Sequence, residues 1–121
     1  MRLKVLVVDD LEFMRRVICD ILLKEGYEII GESTNGADAV RDYKNLTPDL
    51  VLLDITMPVM DGLTALHRIR KYDPNAKVVM CSSLGQQKYI IRAIQLGAKD
   101  FVVKPFSPER ILSAVKRVNN E

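Results

Sequence analysis

Three kinds of residue in this chain could handle a phosphoryl group: carboxylates at Asp9, Asp10 and Asp54, a hydroxyl at Ser82 and an ammonium at Lys104. Each follows a short apolar run. Asp9 and Asp10 follow Leu3 to Val8, Asp54 follows Leu50 to Leu53, Ser82 follows Lys77 to Cys81, and Lys104 follows Asp100 to Val103. If those runs are parallel strands of one sheet, the five side chains converge on its carboxyl edge, where open α/β sheets bind ligands. Three carboxylates held there repel one another. At about 4 Å and an effective dielectric of about 20, each pair costs roughly 4 kcal/mol before relaxation. Protonation would relieve this, and so would a cation. An all-oxygen donor set favours a hard ion, and Mg²⁺ typically takes one or two carboxylates plus a phosphate oxygen. A carboxylate with a metal and a lysine beside it suits phosphoryl acceptance, which needs alignment and charge neutralisation more than covalent help.

Each residue also has a plainer reading. Asp10 could cap the helix that follows. Ser82 could simply start a helix, and Lys104 could be solvated. Lys104-Pro105 is a site where a cis peptide is affordable. The joint placement at the ends of four strands is what favours chemistry.

The elements that would position these residues alternate five times between strand and helix. Leu11, Met14, Ile18 and Ile21 recur at helical spacing over residues 11–24, and Gly26 is placed to close that helix. A second strand spans 28–33, and Asn35-Gly36 leads into a helix over 37–46 that Thr47-Pro48 breaks. Strand 50–53 runs into Asp54. Leu63, Leu66 and Ile69 mark the next helix, and Asp73-Pro74-Asn75 marks a turn. Strand 77–81 precedes a helix that follows Leu84, runs to about Leu96 and stops at Gly97. Strand 100–103 precedes a last helix carrying Ile111, Val115 and Val118. Five such units with short connections predict an α/β fold, a parallel sheet with helices on both faces.

Composition limits the alternatives. The 121 residues suit one domain, spanning 1–121, and leave little room for an attached output domain. Apolar residues make up 48% and charged residues 28%, and the net charge of +2 is too small to make nucleic acid the main partner. No apolar run approaches the roughly 20 residues of a membrane span, so a cytoplasmic protein is expected. Cys19 and Cys81 form no CxxC pair and are expected to be buried thiols. His67 lies away from the strand ends and is expected at the surface. A dinucleotide or P-loop fingerprint is missing after the first strand, and no G-x-S-x-G elbow occurs anywhere. A hydrolase with a D-x-D-x-T nucleophile is disfavoured because residues 54–56 read D-I-T.

Four segments carry a family resemblance: VLVVDD (5–10), LVLLDITMPVMDG (50–62), VVMCSS (78–83) and FVVKPF (101–106). Together they resemble the receiver domains of two-component response regulators over the whole chain. The resemblance implies a doubly wound, flavodoxin-like sheet of five parallel strands, order 2-1-3-4-5, with five helices. It makes Asp54 the phosphoacceptor, Asp10 a direct Mg²⁺ ligand and Asp9 a ligand acting partly through water. The backbone carbonyl of Thr56 becomes a further ligand, Lys104 the phosphoryl-binding lysine, and Ser82 and Phe101 the switch pair. Phe101 has no hydroxyl where relatives often carry Tyr. On phosphorylation, Ser82 would turn to the new oxygens and Phe101 would move inward. Thr56 and Leu84 would flank the water path and set the lifetime. The domain would catalyse its own phosphorylation and dephosphorylation.

The segments DLEFMRRVI, DITMPVMDGLTAL, MCSSLGQQ and AIQLGAKDFVVKPF are most similar to the stand-alone chemotaxis regulators among receivers. That implies a histidine kinase as donor, the flagellar motor switch as target, a phosphatase as an additional partner, and a monomer. The output face would comprise residues 84–96, 100–103 and 107–118. A phosphorelay intermediate and a detached module of a longer regulator share the same site and stay open as alternatives.

Overall fold

A computed structural model describes residues 2–120. The elements run β1 Lys4–Val8, α1 Glu12–Lys24, β2 Glu28–Ser33, α2 Gly36–Leu46, β3 Leu50–Leu53, α3 Gly62–Tyr72, β4 Val78–Ser82, α4 Gln87–Gln95, β5 Asp100–Val103 and α5 Pro108–Asn119. The five strands form one sheet in the order β2-β1-β3-β4-β5, and every pairing is parallel.

The near-continuous apolar strands are buried on both faces, as a parallel sheet requires. Period-two alternation sorts them into two cores. Leu6, Val8, Val51, Leu53, Val78, Met80 and Phe101 pack with α2, α3 and α4, through Ala39, Tyr43, Ala65, Leu66, Ile69 and Ala93. Val5, Val7, Leu50, Leu52, Val79, Cys81 and Val102 pack with α1 and α5, through Ile18, Leu22, Ile111, Val115 and Val118. Both thiols are buried, and burial pushes Cys19 up to about 11 and Cys81 up to about 12, so neither is a ready nucleophile.

The helix boundaries have local causes. Asn35 caps α2 by accepting the Asp38 N–H at 2.8 Å, Asp61 caps α3 by accepting the Thr64 N–H at 2.8 Å, and Ser107 caps α5 ahead of Pro108. Gly26 and Gly97 close α1 and α4 at φ +85° and +103°. Several boundaries shift by one residue from the sequence reading, and two differences touch the site. Ser82 ends β4 rather than following it, and α4 begins at Gln87 after an irregular stretch from Ser83 to Gln86. No side chain caps α4, so nothing local starts the helix directly after Leu84.

Candidate functional site

β1, β3 and β5 deliver Asp9, Asp10, Asp54 and Lys104 to the carboxyl edge. Because β3 lies between β1 and β4, Asp54 stands beside the end of β1, and the Asp54 N–H bonds the Val8 carbonyl at 3.1 Å. One oxygen from each of Asp9, Asp10 and Asp54 falls within 4.8 Å of the others. Lys104 Nζ lies 2.6 Å from Asp9 Oδ2 and 3.4 Å from Asp54 Oδ2. Three carboxylates thus face one ammonium, leaving the cluster negative. Its donors are all oxygen, which fits a hard divalent cation such as Mg²⁺.

The three acids are not equivalent. Asp9 is 1% exposed and fully engaged: Oδ1 accepts the Leu11 N–H at 2.9 Å and Oδ2 accepts from Lys104. Asp10 is exposed, and its carboxylate has no hydrogen bond or ion pair among the described residues. The cap reading of Asp10 is therefore corrected. Leu11 occupies the N-cap position of α1 without a side-chain bond, and Asp9 takes the N–H there. Asp54 is buried, and its Oδ1 accepts the Ile55 N–H at 2.7 Å. Burial raises the Asp54 pKa, Lys104 opposes this, and Asp9 adds to it. Burial disfavours the Lys104 ammonium, but its bond to Asp9 and the neighbouring charges of Asp54 and Asp9 outweigh that and raise its pKa.

The loop after β3 is shaped to keep Asp54 in place. Val59 adopts φ +68° and Met60 N–H bonds Pro58 O at 2.7 Å, so the chain turns sharply. Gly62 then returns against the strand end, its N–H bonding Ile55 O at 2.7 Å. A Cβ on Gly62 would stand 1.8 Å from the Asp54 carbonyl oxygen. Gly36 makes a similar approach to Met60, where a Cβ would lie 2.4 Å from the carbonyl oxygen. Asp61-Gly62 is a turn-type pair in the sequence, but its contact with Asp54 has no trace there. Thr56 sits in this loop, exposed, two residues beyond Asp54.

Ser82 is fully buried, and its Oγ accepts the Leu84 N–H at 3.1 Å. Its carbonyl accepts the Lys104 N–H at 2.9 Å, so β4 also fixes the backbone of Lys104. The Lys104-Pro105 peptide is cis. Phe101 is 7% exposed and packs in the α2–α4 core with Leu84 and Tyr89 at its margin. A ring without a hydroxyl gains by burial with no polar atom to satisfy. The Phe101 ring, expected to move inward on phosphorylation, is already inside in this conformation. His67 is exposed, as expected, and lines a groove between α3 and α4 together with Leu63, Tyr89 and Leu96.

One contact had no sequence signal. Arg15, on α1, donates from Nη1 to the Asp9 carbonyl at 2.8 Å and from Nε to Glu32 on β2 at 3.1 Å. In sequence it is only a basic residue on an amphipathic helix.

An acidic cluster, a half-buried lysine and a hydroxyl at the carboxyl edge of a 2-1-3-4-5 sheet define a receiver-type site. Residues 5–116 match the response regulator receiver domain, and the chain belongs to that family. Within it, the chain is similar to the chemotaxis protein CheY of Thermotoga maritima, with 54% identity over 116 residues covering 96% of this chain and 97% of the relative. It is equally similar to the chemotaxis protein CheY of Bacillus subtilis, with 54% identity covering 97% and 98%. Among solved structures it resembles the CheX–CheY–BeF3–Mg²⁺ complex from Borrelia burgdorferi, with TM-score 0.95, 41% identity, and coverage of 97% of this chain and 89% of that one.

Proposed function

We propose that this protein is a phosphoacceptor switch of chemotaxis, phosphorylated on Asp54 by a histidine kinase. The observation that carries the reading is the buried Asp54 carboxylate with Lys104 3.4 Å away and two further carboxylates beside it.

Asp10, Asp54 and the Thr56 carbonyl would hold Mg²⁺, with Asp9 acting partly through water. Bound there, the ion neutralises charge on the transferring phosphoryl group. An Asp54 carboxylate oxygen attacks phosphorus as the N–P bond of a phosphohistidine breaks, and the bonding pair leaves with the imidazole nitrogen. Lys104 already lies close to Asp54 Oδ2 and donates to a phosphoryl oxygen, while its bond to Asp9 holds the ammonium in position. Hydrolysis reverses the modification when water attacks phosphorus and the acyl phosphate P–O bond breaks. Thr56 and Leu84 border that approach and tune the lifetime.

The switch is built on Ser82. To donate to a phosphoryl oxygen its hydroxyl must turn, which alters the acceptor that now takes the Leu84 N–H. The irregular Ser83–Gln86 stretch connects this change to α4. Its Gly85 packs so closely on Val103 of β5 that a Cβ would lie 2.8 Å from Val103 Cγ1. Phosphorylation thereby biases an existing equilibrium of the α4–β5–α5 face. That face carries Ile91, Ile94 and Val103 exposed, and the phosphorylated form presents it to the flagellar motor switch. A phosphatase is a further partner, a reading supported by the solved CheY neighbour in complex with CheX.

The deciding test is acetyl-phosphate labelling followed by intact-mass measurement, with and without Mg²⁺, on wild type and Asp54→Asn. A Mg²⁺-dependent gain of one phosphoryl mass, lost in the variant, is expected. Undiminished labelling of the variant would remove Asp54 from its role. Efficient return of phosphate to a histidine phosphotransfer protein would favour the phosphorelay alternative over motor binding.

A further inference from the structure

We infer that Arg15, backed by Glu32, is a positioning residue that sets the plane of the Asp9–Asp10 peptide and so aims Asp10 at the metal position. The inference rests on the receiver reading of the site and deepens it.

The argument starts from the backbone at the end of β1. The Val8 carbonyl takes the Asp54 N–H, and the Asp9 N–H donates to Ser33 O at 3.1 Å. The Asp9 carbonyl lies one step beyond the last paired residue of β1. Arg15 takes it over, with Nη1 at 2.8 Å. A peptide group is planar, so fixing this carbonyl fixes the plane from which Asp10 projects.

The two aspartates depend on this plane to different degrees. Asp9 has side-chain anchors of its own, in the Leu11 N–H and Lys104. Asp10 has no side-chain partner among the described residues, so no side-chain bond corrects its carboxylate when its backbone shifts. A misplaced peptide would leave Asp9 nearly unmoved and swing Asp10.

Arg15 is built for such a role. Its side chain is only 14% exposed and is bonded at two points, which restricts its freedom. Its guanidinium presents donors in a rigid fork, and it uses two of them, one on Asp9 and one on Glu32. Glu32 lies on β2, next to Ser33, whose carbonyl bonds Asp9. The pair therefore ties α1, the strand-end peptide and β2 together. Arg16, one residue on, provides the contrast. It is 71% exposed and, among the described residues, pairs only with Glu12 of its own helix at 3.6 Å.

The test is Mg²⁺ titration by calorimetry on the full chain for wild type, Arg15→Met, Arg15→Lys and Glu32→Gln, with thermal unfolding in EDTA as a separate readout. Arg15→Met is expected to weaken Mg²⁺ about tenfold, the usual effect of removing a group that orients a metal ligand. The Mg²⁺ concentration for half-maximal acetyl-phosphate labelling should rise by the same factor, while the rate at saturating Mg²⁺ returns to that of wild type. Arg15→Lys can reach Asp9 or Glu32 but not both, and should fall between wild type and Arg15→Met. A folded Arg15→Met with unchanged Mg²⁺ affinity and only a lower unfolding temperature would reduce Arg15 to a clamp between α1 and β2. Should Arg15→Met fail to fold, unchanged Mg²⁺ affinity in both Arg15→Lys and Glu32→Gln would overturn the inference equally. Failure of wild type itself to bind Mg²⁺ would overturn the receiver reading, a result distinct from a variant that matches a binding-competent wild type.

Discussion

The surroundings of Asp54 disfavour its charged form. Burial raises its pKa, and Asp9 adds to the effect against the pull of Lys104. A carboxylate whose folded pKa lies above its unfolded value costs stability once the pH exceeds that unfolded value. Asp54→Asn is therefore expected to unfold at a higher temperature than wild type at neutral pH in EDTA. The difference should shrink as the pH falls below about 4, where the unfolded carboxyl also protonates. Thermal melts across pH check this, and a variant less stable than wild type at pH 7 would contradict it. Adding Mg²⁺ should raise wild type more than the variant, because ligand binding stabilises only the state that holds the site. Gly62 makes a second residue-level prediction. With a Cβ placed 1.8 Å from the Asp54 carbonyl, Gly62→Ala must displace the strand end. A loss of about 3 kcal/mol in urea unfolding is expected, the upper end for overpacking, together with slower labelling.

Among the elements, α5 is joined to β5 by charge as well as by its apolar face. Asp100 accepts from Arg110 at 3.1 and 3.2 Å and forms an ion pair with Arg117 at 2.8 Å, and Arg110 also reaches the Phe101 carbonyl at 3.1 Å. Burial alone would raise the Asp100 pKa, but its bonds to Arg110 and the Phe101 N–H, with both guanidinium charges, lower it overall. A depressed carboxylate contributes stability above its unfolded pKa and loses it as the pH falls through the folded one. Replacing Arg110 and Arg117 with Ala should cost about 1 kcal/mol at pH 7, a modest figure because both arginines are partly exposed. That cost should vanish in acid, so urea midpoints at neutral and low pH would converge for variant and wild type. The stretch before α4 behaves differently. With Ser82 accepting the Leu84 N–H and no side-chain bond capping the helix, its start is where the proposed switch would act.

For the whole molecule, the sheet separates two cores, and the residue before Asp54 belongs to the one under α2, α3 and α4. Leu53→Ala should cost about 3 kcal/mol, within the usual range for emptying a fully buried leucine site, read as a lower urea midpoint at unchanged slope. An unchanged midpoint would mean that the core refills the space without cost.

The sequence by itself determined the five strands, the five helices and the parallel arrangement, because apolar runs, helical spacing and short connections are local signals. It also placed Asp9, Asp10, Asp54 and Lys104 at one edge, since strand ends carry their side chains wherever the sheet goes. Only the tertiary structure decided how the acids divide their roles. Asp9 and Asp10 are adjacent and chemically alike, yet one is pinned by Leu11 and Lys104 and the other is open. That difference comes from partners 2 and 95 residues away, and the longer of those separations has no local trace. The same holds for the inward ring of Phe101, for Gly62 against Asp54 and for Arg15 on the Asp9 carbonyl. Each depends on which elements the packing makes neighbours, and that is settled when the two cores form around the sheet.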